Sequence, residues 1–322
     1  MSLTAIILAA GKSTRMKSNR PKVLHEVCGK PMLHYILHAC YQAGVQRSIV
    51  IVGHGKEQVV DAFSSDPRIT WVEQTEQLGT GHAARMAEPE LRKHGGDVFI
   101  LAGDGPLIRG DVLKTLLRAH HEEHAAASMA TAVLDDPTGY GRVIRDKDGN
   151  FVEIIEQLDA TAEQRDIKEV FPSYYCLRSE DLLLALSKLK NENKKREYYL
   201  TDIYGILAKA SRKVVAVQAV GQDDVLGVNN RQQLAEVDNI MQDRIHRTLR
   251  EAGVTIVSGV NTYIESGVSI GQDTVILPFT YIGADTSIGH DCRIGPYACI
   301  PRQSIVPEGV SIVGTVPFER QG

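Results

Sequence analysis

Nine apolar residues, Ile264, Ile270, Ile276, Ile282, Ile288, Ile294, Ile300, Val306 and Ile312, recur at every sixth position without interruption. Four places after each stands a small or short-branched residue: Val268, Thr274, Thr280, Thr286, Cys292, Ala298, Ser304, Val310 and Val316. A period of six matches neither the 3.6-residue turn of an α-helix nor the two-residue alternation of a strand. It is the signature of a left-handed parallel β-helix, in which each hexad forms one face of a triangular coil. Nine hexads make three coils, a short stack at about 4.8 Å per rung.

The preceding sequence obeys a different rule. Apolar runs alternate with amphipathic stretches over residues 1 to about 135, with strands expected at Ala5–Ala9, Ser48–Val52, Ile69–Val72, Val98–Ala102 and Ser128–Leu134. A helix is expected from Pro31 to Ala43: proline suits the first turn, Gly44 the end, and Met32, Leu33, Ile36, Leu37 and Cys40 share one face. This alternation predicts an α/β, Rossmann-like domain whose mixed, mostly parallel sheet carries helices on both faces. Residues 229–253 read as a connecting helix, with a stripe of Leu234, Val237, Met241, Ile245 and Leu249 closed by Gly253. The chain therefore divides into 1–228, 229–253 and 254–322.

In such sheets ligands bind beyond the carboxyl ends of the strands. The first strand runs into Leu8-Ala9-Ala10-Gly11-Lys12-Ser13-Thr14-Arg15-Met16, and Pro21-Lys22 follow. A small-residue turn there lets backbone N–H groups approach a phosphate, and Lys12, Arg15 and Lys22 supply cations. Gly11-Lys12-Ser13 resembles the end of a P-loop, but that motif needs a glycine where this chain has Ile6. A second turn of the same kind, Gly103-Asp104, follows another expected strand.

The charge balance excludes other classes. A net charge of −4 in 322 residues gives no footprint for nucleic acid or acidic membranes. The first apolar run has no basic segment before it and ends in a glycine turn, so it reads as a strand rather than a signal peptide. No window approaches the roughly 20 apolar residues of a membrane span. The five cysteines, an odd number without a C-x-x-C pair, read as reduced thiols of a cytoplasmic protein. His120, His121 and His124 read as a solvated run near a helix end.

Leu8–Met16, Pro21–His25, Glu76–Ala83, Asp135–Arg142, Glu197–Asp202 and Gly227–Arg231 together resemble the bacterial N-acetylglucosamine-1-phosphate uridyltransferase family, in order and at similar spacing. The resemblance implies a nucleotidyltransferase that joins UTP to a sugar-1-phosphate on Mg²⁺ and releases pyrophosphate. It implies that Leu8, Ala9, Ala10, Gly11 and Lys22 hold the nucleotide and that Gln74, Gly79 and Thr80 read uracil. Arg15, Lys22 and Asp104 would carry catalysis, and Asp104 and Asn229 would be the metal ligands. Ala102, Gly103, Gly141, Glu156, Phe171, Tyr199, Thr201 and Asn229 stand at the family's sugar positions.

Departures accompany the match. Where the family has a sugar-binding Asn in an Asn-Thr-Gly stretch, this chain has Phe171-Pro172-Ser173, and Ala102 replaces a Tyr. Gly105 follows Asp104 where a Val is usual. The nucleotide half is retained and the sugar half rebuilt, so N-acetylglucosamine-1-phosphate is the default substrate and a different sugar-1-phosphate an alternative. A non-catalytic nucleotide-sugar-binding subunit is the alternative from another class. Full-length family members carry a longer β-helix that acetylates glucosamine-1-phosphate. The three coils here lack its acetyl-transfer His, which predicts no acetyltransferase activity, and a small coil of this kind predicts a homotrimer.

Overall fold

A computed structural model describes residues 2–314; Val316, the last of the small hexad positions, lies outside them. The chain forms two compact units. One comprises Met1–Leu24 and Met32–Asn230, the other His25–Pro31 and Arg231–Gly322.

The first unit is built on a mixed nine-stranded sheet. Its strands are β1 (Leu3–Leu8), β2 (Arg47–Val52), β3 (Ile69–Glu73), β4 (Asp97–Ala102), β5 (Ala127–Val133), β6 (Gly141–Arg145), β7 (Phe151–Ile155), β8 (Glu169–Arg178) and β9 (Val214–Gln218). The main order is β9-β5-β8-β4-β1-β2-β3, with the β6–β7 hairpin attached through β8. The five strands expected from sequence are β1 to β5, displaced by one or two residues at their ends. β1 pairs in parallel with β2 on one side and β4 on the other, and β8 inserts antiparallel between β4 and β5.

Strand alternation sends neighbouring residues of β1 to opposite cores. Ala5 and Ile7 pack with Leu33, Ile36, Leu37 and Cys40 of helix Met32–Gln42 and with Leu113 and Leu116 of helix Gly110–Glu122. Ile6 turns to the other face, against Leu182, Ala185 and Leu186 of helix Ser179–Lys188 and Ile203 and Leu207 of helix Asp202–Lys209. Helices therefore cover both faces, and none among the described residues is long and apolar enough to cross a membrane.

One histidine departs from the sequence reading. His120 is 2% exposed, not solvated: its Nδ1 lies 2.9 Å from Ser128 Oγ, and Asp97 is 3.7 Å from Nε2. The amphipathic turn of helix Gly110–Glu122 carries it inward with Val112 and Leu116.

The second unit contains helix Arg231–Glu251, a hairpin of Glu26–Val27 and Lys30–Pro31, and the hexad coil. The coil is a short left-handed parallel β-helix whose residues pair with those three hexads later, as Val275 does with Arg293 and Arg293 with Ser311. Ile264, Ile276, Ile282 and Ile294 are fully buried along its axis. The hairpin docks onto this unit through Cys28 N–H to Asp238 Oδ1 at 2.8 Å and Arg302 Nη2 to Glu26 Oε2 at 2.9 Å.

Ile294 is packed on every side by the coil's apolar column. Truncation by Ile294→Ala should cost about 3 kcal/mol from lost transfer energy and the cavity left behind. Denaturant unfolding followed by a probe in the coil checks this; a loss below about 1 kcal/mol would show that the coil relaxes into the gap.

Candidate active site

β1 and β4 end level with each other, Leu8 opposite Ala102. The turns that follow are in close contact: Gly103 N–H donates to Leu8 O at 2.9 Å. A Cβ at position 103 would fall 2.8 Å from that same carbonyl, so only glycine permits the approach. Ala9 and Ala10 run on from β1, and Gln77 Nε2 donates to Ala10 O at 2.8 Å. These turns border a cavity of about 340 Å³.

The charged groups gather at one place. Lys22 Nζ donates to Asp104 Oδ2 and, at 3.3 Å, to Asn229 Oδ1. Arg15 Nη2 reaches the same Asn229 oxygen at 2.9 Å. Asp104 is tied to its neighbour segment by Val228 N–H donating to Asp104 O at 2.8 Å. Three distant sequence segments thus place a carboxylate and an amide oxygen on one ammonium.

The opposite wall comes from two motifs zipped together by backbone bonds. Tyr198 N–H donates to Leu78 O and Gly81 N–H to Tyr198 O, both at 2.8 Å, while Leu200 N–H donates to Thr80 Oγ1 at 3.1 Å. Gly79 stands at φ +106°, and a Cβ there would fall 2.7 Å from Tyr198 O, a combination that only glycine satisfies. Gln74 is 5% exposed, and its Nε2 lies 3.3 Å from Gly79 O and 3.0 Å from His82 Nδ1. With its nitrogen so engaged, Gln74 keeps its carbonyl oxygen as an acceptor.

Of the residues singled out from sequence, Leu8, Ala9, Ala10, Gly11, Lys22, Gln74, Gly79, Thr80, Ala102, Gly103 and Asp104 all border the cavity. Arg15 and Asn229 join them through Lys22 and Asp104. Glu156 and Thr201 form a pair of their own, Thr201 Oγ1 donating to Glu156 Oε1 at 3.0 Å. Burial raises the Glu156 carboxyl above its ordinary range. The Tyr199 hydroxyl is pushed up to about 12 by burial and by Asp159, Glu156, Glu197 and Asp202. Gly141 faces this carboxylate: a Cβ added there would stand 3.8 Å from Glu156 Oε2.

Phe171 is corrected. It is 3% exposed and does not border the cavity; its ring lies edge-on to Tyr175 at 4.7 Å and to Tyr204 at 5.7 Å. An apolar ring on the inner face of β8 is drawn into the core, so it touches the cavity only through Tyr175. Gln77, Ser173, Tyr175 and Glu197 also line the cavity and are not singled out by the sequence as site residues. Gln77 and Glu197 lie inside recognisable motifs, whereas Tyr175 follows a bulge that sequence does not announce.

A cationic turn and a carboxylate at the strand ends of a mixed α/β sheet, with an amide brought beside them, make the layout a nucleotidyltransferase requires. Residues 5–199 match the MobA-like NTP transferase domain, and residues 267–302 match the bacterial transferase hexapeptide repeats. The chain is 45% identical to the bifunctional protein GlmU of Pelotomaculum thermopropionicum over all of its own length and 70% of that relative's. It is 44% identical to the bifunctional GlmU of Alkaliphilus metalliredigens over 86% of this chain and 60% of that protein. A UDP-glucose pyrophosphorylase complexed with UDP-glucose shares the fold at a TM-score of 0.63 and 19% identity, over 76% of this chain and all of that one. The chain belongs to the bacterial N-acetylglucosamine-1-phosphate uridyltransferase family.

The acidic neighbourhood has a consequence for stability. Desolvation of the carboxyl, then Glu156 and Asp159, raises Asp202 from 3.8 to about 6, although the residue as a whole is exposed and solvent weakens the effect. The folded state favours its neutral form, so the stability it contributes is complete below about pH 4 and lost as pH rises through about 6. Asp202→Asn should therefore be more stable than the parent at pH 7.5 and equal to it at pH 4. Urea midpoints at the two pH values decide; a constant difference would show that the carboxyl is screened by solvent.

Proposed function

We propose that the chain is a sugar-1-phosphate uridylyltransferase, with N-acetylglucosamine-1-phosphate as its default substrate and UDP-N-acetylglucosamine and pyrophosphate as products. The observation that carries this is the convergence of Asp104 Oδ2 and Asn229 Oδ1 on Lys22 Nζ at the rim of the Leu8–Gly11 turn. Residues 1–228 carry the transfer, 229–253 connect, and 254–322 assemble the chain.

The donor set suits Mg²⁺. That ion prefers hard oxygen ligands and is bound by one or two protein oxygens together with substrate phosphates and water. Asp104 and Asn229 offer one carboxylate and one carbonyl oxygen, already directed at a single cation. Among the described residues no three His, Cys, Asp or Glu side chains group as a closed metal cage, which accords with an ion held mainly by its substrate. When bound, the ion would neutralise phosphate charge at the reacting centre.

The reaction requires position and charge neutralisation rather than a covalent intermediate. An oxygen of the sugar phosphate attacks the α-phosphorus of UTP; the bond to the bridging oxygen of the β-phosphate breaks, and pyrophosphate carries away that electron pair. Backbone groups of Leu8, Ala9, Ala10 and Gly11 hold the nucleotide. Arg15 and Lys22 meet the developing negative charge, Lys22 exchanging its carboxylate partner for phosphate oxygen. Gln74 accepts from the uracil N3–H through its carbonyl, and Gly79 and Thr80 shape the base slot. Glu156 accepts from sugar hydroxyls, with Gly103, Gly141, Tyr199, Thr201 and Asn229 around the sugar phosphate, while Ala102 leaves room beside it. A reaction that consumes UTP places the protein in the cytoplasm. Acetyl transfer is outside this reading; free thiol released from acetyl-CoA only when glucosamine-1-phosphate is added would overturn that.

Asp104→Ala should keep its fold and lose roughly a thousandfold in turnover, because several kcal/mol of transition-state stabilisation go with the carboxylate. Pyrophosphate release with varied Mg²⁺ measures it. Near-parental turnover would remove Asp104 from the mechanism.

The second unit exposes Val260, Phe279, Tyr297, Ile305 and Val313, each more than half accessible. Covering such a surface favours three-fold packing of coils. Light scattering should give a homotrimer, and a monomer mass that is independent of concentration refutes it.

A further inference from the structure

Between Val170 and Tyr174, β8 advances four residues while β5 advances two, from Ala132 to Ala130. The resulting bulge falls where β4 gives way to the Gly103-Asp104 turn, since Tyr174 pairs with Leu101. Bulges beside ligand sites re-aim side chains. This one ends on Ser173, whose φ of +68° lies in the left-handed region that residues with a side chain enter at a cost. Ser173 lines the cavity next to Tyr175, Ala102, Gly103 and Asp104.

Tyr175 is held firmly. Its ring stacks on Tyr204 at 5.5 Å with 4° between planes and receives the edge of Phe171 at 4.7 Å. Tyr204 is itself fixed by its hydroxyl, which donates to Ser128 O at 3.2 Å. Ser173 and Tyr175 border the same cavity, and the Glu156 carboxylate adds to burial in raising the Tyr175 phenol.

We propose that Ser173 and Tyr175 are the specificity-determining pair of the sugar pocket and recognise a ring hydroxyl of a hexose-1-phosphate. The proposal rests on the transferase reading above. Each of the two groups both donates and accepts, as a sugar hydroxyl does, so either can pair with one at the cavity wall. The Tyr175 ring is 4% exposed, so it offers the cavity its hydroxyl rather than a ring face. Phe171 takes no direct part: it stands behind Tyr175 and fixes its angle. The strain at Ser173 has a purpose on this account, because glycine would relieve it and lose the hydroxyl.

The test uses the full chain with UTP and a panel of glucose-1-phosphate, galactose-1-phosphate and N-acetylglucosamine-1-phosphate, reading pyrophosphate release. Ser173→Gly and Ser173→Ala should each reduce the kcat/KM ratio between the best and second-best sugar by about tenfold or more, with the KM for UTP within about twofold. The glycine variant should melt no lower than the parent, which separates lost recognition from lost folding. Tyr175→Phe should move the ratio in the same direction. Unchanged ratios in both Ser173 variants overturn the proposal. A parent chain that releases no pyrophosphate with any sugar-1-phosphate overturns the transferase reading, and this one with it.

Discussion

The parallel pairing of β1 with β4 is the constraint on which the site rests. Because Leu8 stands opposite Ala102, both strands deliver their turns to the same rim. The glycine at 103 lets those turns touch, and Val228 N–H then fastens a third segment to Asp104 O. A cationic turn, a carboxylate and an amide that lie far apart in sequence become neighbours. A one-residue slip between β1 and β4 would turn Ile6 and Ile7 to the wrong cores, so the same register that buries these side chains also aligns the site.

Much of this was legible because its signals are local. β1, β2 and β4 are short apolar runs, each ended by a glycine-bearing turn, and helix Met32–Gln42 has its apolar face at regular spacing. The site residues at strand ends follow from the same signals together with the family motifs. β8 was not legible: it is antiparallel, bulged, and paired on both sides with strands distant in sequence. The β6–β7 hairpin shows no clean alternation of buried and exposed residues either. Phe171 was misplaced for this reason. Its matching position in the motif pointed to the sugar, but the face of β8 it occupies is decided by a bulge that only non-local pairing reveals.

The coil shows the converse case, in which sequence discloses the interior and hides the corners. Positive φ recurs at Gly267, Asp273, Phe279, Asp285, Asp291, Tyr297, Gln303 and Gly309, every sixth residue, yet only two of these are glycine. Single left-handed residues cost energy, and the coil over-determines them by bonding each rung to the next. Asp273 N–H donates to Gly253 O at 3.0 Å, and Gln303 N–H to Ala284 O at 2.9 Å. The isoleucine column sets the period, and the ladder imposes the corner on whatever residue arrives there.

In the proposed transferase the two halves of the site are made from different materials. The nucleotide half consists largely of backbone: strand ends, glycine turns and a Lys22–Asp104–Asn229 cluster fixed by segments that the main sheet holds in register. Changing one side chain there breaks a contact on which the chemistry depends. In the proposed transferase the sugar half consists of side chains on β8, its neighbouring hairpin and the Glu197–Asp202 segment, and β8 is bulged between Val170 and Tyr174. Within three residues Phe171 is drawn into the core and Ser173 is turned to the cavity. On the proposed reading, sugar selection and nucleotide transfer draw on different elements, because the bulge lies in β8 and not in β1 or β4.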